Sequence, residues 1–518
     1  MRLKLIYHYQ HVNAATFSRS RQMSCGLPGR SPHPLSRALS FSDSMFYGCG
    51  IHSILRCRLS AISNILKGDG TKARALRSAG FVIIGFGGQN VLRLASNLIL
   101  TRLLFPEAFG VMALVQVVLI GLAMFSDLGI NVSIMQHKRG EERDFLNTAW
   151  TLQILRGVVL WLVCCALAWP AAYVYNEPQL LQLLPVAGLT AVVSGFNTTK
   201  IWVANRHLQL GTQTLTMLGA QAMGILFTVV LAWFWRDVWS LVFGGIFAAF
   251  LQNILQHRML PGPGNRFCWD REAVGSLIRF GKYIFLSSIA GFLSNQGDRA
   301  VLGGYISMGA LGIYSVGYMM AMLPLQLVQA AGGKVLFPLY HKYKDLSDPE
   351  NLAKVRRARR MLLAGAMAIT CLMAIFGVPL IHLLYDARYD MAGPVLVLMS
   401  VAITMQLAAS LYDGSYLAHG NSRAHFLINA WRAGIQTLFL FIGASQYGVL
   451  GAIVAQALGV LAVYPMQTIV TRRYRAWDPL ADGLVVLSGL AAAALGIWLS
   501  QGYMPGFWQW TMAGDSPR

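Results

Sequence analysis

With 518 residues, of which 55% are hydrophobic and only 12% charged, the chain carries about half the charged fraction usual for a soluble protein. Its mean hydropathy of +0.51 and formal net charge of +21 exclude an ordinary soluble enzyme and describe an integral membrane protein with basic surfaces. The seven cysteines form no CxxC pair and the eleven histidines include no HExxH, so neither a disulfide framework, a metal site nor a cofactor is expected. "GFGGQN" from Gly85 lacks the spacing of a nucleotide loop, and its small residues suit close helix approach instead.

The first 80 residues hold twelve Lys or Arg against two acids, with frequent Ser, His, Pro and Gly and no long apolar run. "LKLIYHY" is too short and too polar for a signal-peptide core. This basic tail, residues 1–75, is expected to be poorly ordered and not required by the body, whose natural start then lies at Met45 or near Lys67. The competing readings are an organelle transit peptide and attraction to an anionic membrane surface.

From Phe81 onward apolar runs recur at the roughly 20-residue length that crosses the bilayer core. Thirteen crossings are predicted, at 80–103, 109–134, 148–172, 179–201, 209–233, 238–257, 279–303, 309–337, 361–384, 392–416, 424–444, 448–470 and 481–501. Their connections alternate in charge. "QHKRGEERD", "QHRMLPGPGNRFCWDREAVGSLIRFGK" and "TRRYRAWD" lie on one side, "FPEAFG", "ISMGA" and "SQYGVLG" on the other. By the positive-inside bias the first set, and with it the amino terminus, is cytoplasmic.

An internal repeat links the halves. "FPEAFGVM" at Phe105–Met112 aligns with "SMGALGIY" at Ser307–Tyr314, 202 residues on, so that Gly110 meets Gly312. Pro185 and Pro394 each open a fourth crossing in their half. The expected architecture is an all-α polytopic membrane protein of twelve to fourteen helices. A first six-helix half (76–258), a cytoplasmic linker (259–282) and a second half (283–475) are followed by an extra span and tail (476–518), a transporter plan.

At this point the chain resembles a family. "LILTRLLFPEAFGVMALVQVVLIGLAMFSDLGI" and "GDRAVLGGYISMGALGIYSVGYMMAMLPLQLV", with "FP" at Phe337–Pro338, are similar to the Wzx-type polysaccharide flippases of the multidrug/oligosaccharidyl-lipid/polysaccharide (MOP) exporter superfamily, over roughly Ala73 to Trp498. The resemblance implies a MATE-like fold and translocation of polyprenyl-diphosphate-linked oligosaccharide across the inner (cytoplasmic) membrane for O-antigen, exopolysaccharide or capsule assembly. It implies a transporter rather than an enzyme, with the lipid-linked glycan, the bilayer, a polysaccharide polymerase and glycosyltransferases as partners and no nucleic acid. The alternatives are an ion-coupled small-molecule or drug exporter of the same superfamily and a membrane polymerase or ligase; the short external loops disfavour the latter.

A charge at bilayer centre costs at least about 2.5–3.5 kcal/mol on insertion scales, so intramembrane polar residues should face protein or water. Gln89, Arg93 and Asn97 fall at four-residue steps in span one, and Asn295, Asp298 and Arg299 share a face of span seven. With Asp127, Gln326 and Arg432 they are the candidate cavity residues. Arg93, thirteen residues into its span and about 20 Å from the cytoplasmic end, is the candidate diphosphate anchor. Simpler roles compete elsewhere: pairing for Asp127, Asp298 and Arg299, snorkelling for Arg156, Lys200 and Lys334, and packing for the Met308–Met322 cluster.

Overall fold

The computed structural model describes residues 71–126, 129–137, 139–207, 210–343 and 345–513; the basic tail lies outside them up to residue 70. All regular structure among the described residues is helical. The first half runs α1 (Thr71–Leu103), α2 (Pro106–Phe125), α3 (Ile130–Gln136), α4 (Arg143–Val174), α5 (Leu180–Gly195), α6 (Lys200–Arg206), α7 (Leu210–Trp235) and α8 (Trp239–Met259). The second runs α9 (Arg271–Leu302), α10 (Met308–Ala321), α11 (Leu323–Lys342), α12 (Pro349–Leu384), α13 (Ala392–Ser410), α14 (Asp413–Ala418) and α15 (Ser422–Arg473), then α16 (Pro479–Leu499) and α17 (Met504–Ala513).

Eight helical stretches are long and apolar enough to cross a membrane, and two bent pairs, α5 with α6 (57°) and α10 with α11 (42°), reach that length together. The 52-residue α15 folds back at Tyr447 and Gly448 (φ 50°, ψ −126°), where the chain leaves helical geometry, so it provides two crossings. The 33-residue α1 and the 32-residue α9 are each long enough to cross a membrane as well. Counted this way, the predicted thirteen crossings each have a helix. Span two differs in detail: α2 stops at Phe125, where the Ser126 hydroxyl donates back to the Leu122 carbonyl (2.7 Å), and α3 restarts after Gly129 at φ 59°. The ten residues of α17 span about 15 Å, too short for a fourteenth crossing.

Helices pair in the same pattern in both halves. α1 packs on α7 as α9 packs on α15, and α4 lies against α5 as α12 lies against α13. The halves meet where α2 packs on α10. A side chain at Gly110 would collide with the Met308 carbonyl, and one at Gly312 with the Pro106 carbonyl. Since 106 and 110 are offset from 308 and 312 by the same 202 residues, the contact is reciprocal. Only glycine lets both backbones approach this closely. The main apolar core surrounds this contact and extends through α13, the most enclosed crossing. The extra crossing, α16, packs on α12 and α13 and adds Val485 to that core.

The segment between α8 and α9 is held to the first half: the Cys268 amide donates to Thr151 Oγ1 (3.1 Å) and the Asp270 amide to Thr148 Oγ1 (3.1 Å). Asp270 caps α9. The Glu272 amide, then the Ala273 amide and Arg139 at 3.1 Å, hold its carboxyl below the ordinary range. Because this connection is basic, Cys268 is expected to face the cytoplasm. An impermeant thiol reagent on intact cells should leave it unlabelled until the membrane is opened; labelling from outside would invert the topology.

Candidate functional site

A cavity of about 1120 Å³ lies in the second half, walled by α9, α10, α11, α13 and both limbs of α15, with Arg93 reaching in from α1 and Ile120 from α2. Local sequence explains the walls. The bend between α10 and α11 falls at Met322–Leu323, where Pro324 supplies no amide hydrogen, and it turns Gln326 and Gln329 to the cavity. α15 starts at an Asn421 cap, whose side chain accepts from the Ala424 amide (3.0 Å). From there His425, Asn429, Arg432 and Gln436 follow at four-, three- and four-residue steps along one cavity-facing stripe.

The charge balance is cationic. Arg93, Arg299, Arg423 and Arg432 line the cavity against one carboxylate, Asp413, which accepts from Tyr416 and from Gln467 (3.4 Å). None of the four arginines belongs to an ion pair among the described residues. Arg93 Nη2 donates to Asn90 Oδ1 and to Gln326 Oε1, each at 3.0 Å, so its only bond to the other half is to a neutral group. Ten residues separate it from the end of α1, about 15 Å, close to mid-bilayer. Arg299 lies 4.9 Å from the centre of the Tyr318 ring and donates to Gln296 (3.3 Å), leaving its Nε without a partner, as is that of Arg432.

Of the residues singled out in the sequence, Arg93, Asn295, Arg299, Gln326 and Arg432 line this cavity. Gln89 lines an adjoining space of about 520 Å³ that shares Arg93 and Gln326 with it. Asn97 and Asp298 do not: Asn97 turns its amide to the Met319 sulfur (3.1 Å), and Asp298, 2% exposed, accepts from the Tyr314 hydroxyl (3.0 Å). Asp127 lies outside the described residues. Arg423 and His425 were missed because "HGNSRAH" reads as a loop, and Asn429 was missed inside a predicted crossing; the four-three-four spacing from His425 to Gln436 is the signal that finds His425 and Asn429. Lys200 is structural, its ammonium capping the His257 and Leu260 carbonyls at the end of α8 (3.1 and 3.2 Å).

The cavity extends to the start of α15, where Ser422 and Arg423 are exposed, at the end that carries the basic connections. The opposite end is shut by the α2–α10 contact and by a clasp. There Arg388 donates to the Arg102 carbonyl (3.1 Å) and lies 4.7 Å from the Phe105 ring centre, and the Tyr389 hydroxyl donates to the Leu104 carbonyl (3.2 Å). An open cationic chamber sealed at one end can hold an anionic group at mid-membrane depth, away from lipid.

Comparisons agree with this geometry. The profile of a family described as "Polysaccharide biosynthesis protein" matches residues 99–394, more than half of the chain. The lipopolysaccharide biosynthesis protein WzxC of Escherichia coli (strain K12) is 25% identical over 75% of this chain and 77% of its own. The succinoglycan biosynthesis transport protein ExoT of Rhizobium meliloti (strain 1021) is 24% identical over 81% and 84%. Among solved structures, the lipid II flippase MurJ in an inward closed conformation superposes with a TM-score of 0.59 at 14% identity, over 82% of this chain and 99% of that one. An inward-facing MATE family transporter of the MOP superfamily gives 0.55 at 14%, over 75% and 95%. At such identities the structures show the shared fold alone. The chain is a multi-pass membrane protein of this fold and belongs to the polysaccharide biosynthesis protein family.

Proposed function

We propose that the protein is a flippase that moves polyprenyl-diphosphate-linked oligosaccharide from the inner to the outer leaflet of the cytoplasmic membrane, for surface polysaccharide assembly. The observation that carries this reading is the group of four arginines free of ion pairs that line one chamber, from Arg423 at its open end to Arg93 close to mid-bilayer. In hydrocarbon each unsatisfied polar group costs several kcal/mol, and a diphosphate with its sugars has many. The arginines and carboxamides replace the lost water, while the prenyl chain stays in lipid. No bond is made or broken, so the work is transport, not catalysis. The halves 76–258 and 283–475 rock about the α2–α10 contact to expose the chamber to each side in turn. The amino terminus is cytoplasmic on this reading, and the polymerase and glycosyltransferases of the same pathway are the functional partners. An exporter of cationic drugs is disfavoured by the excess of arginine over carboxylate.

The test is genetic and biochemical together. Cells lacking the protein should lose surface polysaccharide and accumulate the lipid-linked repeat unit facing the cytoplasm, where added external glycosidase cannot cut it. Unchanged surface polysaccharide, with raised drug sensitivity, would replace this reading with the exporter.

A further inference from the structure

A second polar cavity, of about 660 Å³, lies within the first half among α2, α4, α5, α7 and α8. It adjoins the arginine chamber: both touch Ile120, and the space beside Arg93 shares Gly245, Ala249 and Gln252 with it. Its chemistry is opposite. Its one described ionic side chain, Arg156, is engaged, donating to Ser126 Oγ (3.0 Å) and the Ala123 carbonyl (2.7 Å).

The unmet hydrogen-bonding groups separate the two spaces. In the arginine chamber the unpartnered groups are two guanidinium donors, Arg299 Nε and Arg432 Nε, and the Ser294 hydroxyl, which can donate or accept. In the first-half cavity they are acceptors: Gln256 Oε1, on a residue only 2% exposed, and Gln213 Oε1. Gln221 Oε1, in the space that joins them, is a third. Buried polar atoms without partners are uncommon and call for an explanation. A phosphate ester offers only acceptors and cannot satisfy carboxamide oxygens, whereas a sugar hydroxyl donates to them. Trp202 adds an aromatic surface to the same wall, apolar enough to meet the C–H face of a sugar ring.

We propose that the first-half cavity is a glycan subsite, which takes the uncharged hydroxyl-rich sugars of the substrate through Gln213 and Gln256 while the diphosphate rests on the arginines. This rests on the flippase reading, and it divides recognition between the halves. The charged anchor is common to any such lipid, and the carboxamide cavity reads the sugar.

The experiment titrates the full chain in lipid nanodiscs with two probes, undecaprenyl diphosphate and the same lipid carrying a neutral hexose trisaccharide. The glycosylated lipid should bind at least tenfold more tightly. Gln213→Met with Gln256→Met should remove most of that advantage while moving the Kd for the sugar-free lipid less than twofold. Should the double variant melt well below the parent, the half-buried Gln213→Met alone is the readout, with at least a threefold loss of the glycan advantage expected. Equal affinity of the parent for both lipids, or equal losses for both in the variants, overturns the glycan subsite but leaves the flippase reading standing if the sugar-free lipid binds. Failure of the parent to bind either lipid overturns both.

Discussion

Arg93→Ala is expected to lower polysaccharide export by at least thirtyfold while leaving the protein in the membrane at near-normal amount. Removing one partner of a desolvated charge pair costs about 2–5 kcal/mol, which is roughly thirtyfold to several thousandfold in affinity. The fold should tolerate the change, because Arg93 is exposed to the cavity and bonds only the neutral Asn90 and Gln326, so no buried carboxylate is stranded. Arg93→Lys should retain part of the activity: a point charge still attracts phosphate, but the bidentate fork is lost. Surface polysaccharide measured beside an immunoblot of the membrane fraction decides it. Normal export in the alanine variant would remove Arg93 as the anchor. Degradation of the variant would make it a structural residue instead.

The crossings were legible because hydropathy is a local property, and the repeat was legible because one close contact imposes the same glycine on both copies. Each of Gly110 and Gly312 seats the carbonyl that leads the other repeat copy, so the two copies share one constraint. What periodicity cannot supply is the neighbour. The step of four that puts Asn97 on the stripe of Arg93 fixes a helix face, yet one turn along that face Asn97 meets Met319 rather than the cavity. Asp298 shares a face with Asn295, but the α10 helix beside it presents the Tyr314 hydroxyl and covers it. The break between α2 and α3 was read as continuous helix because apolar residues flank it on both sides. Charge bias hid Arg423 in the same way, since a basic residue near a predicted helix start is ordinarily assigned to the loop.

The largest stability effect is expected away from the cavity, at Arg359. This guanidinium is 1% exposed and donates to Asp482 Oδ1 (2.5 Å) and to the Ala408 carbonyl (2.8 Å), with its carbon 4.0 Å from the Tyr412 ring centre. The hydroxyls of Tyr412 and Tyr464 both donate to Asp482 Oδ2 at 2.6 Å. The network therefore fastens α16 to α12, α13 and α15, and it explains how the extra crossing is held. Arg359→Ala leaves Asp482 buried without its counter-charge, a loss of about 3–5 kcal/mol, a large part of the roughly 5–15 kcal/mol that holds a typical domain together. Replacing both partners by apolar residues, Arg359→Met with Asp482→Leu, strands no charge but leaves the Tyr412 and Tyr464 hydroxyls without their acceptor, so it should recover only part of the loss. Lys354, paired across one helical turn with Glu350 (2.6 Å) where both side chains are exposed, is the control; its alanine variant should leave stability almost unchanged. Membrane abundance and the melting temperature of detergent-purified protein should fall furthest for Arg359→Ala, less for the paired replacement, and stay close to the parent for Lys354→Ala. If Arg359→Ala is as abundant and as heat-stable as the parent, the buried pair does not hold the thirteenth crossing in place.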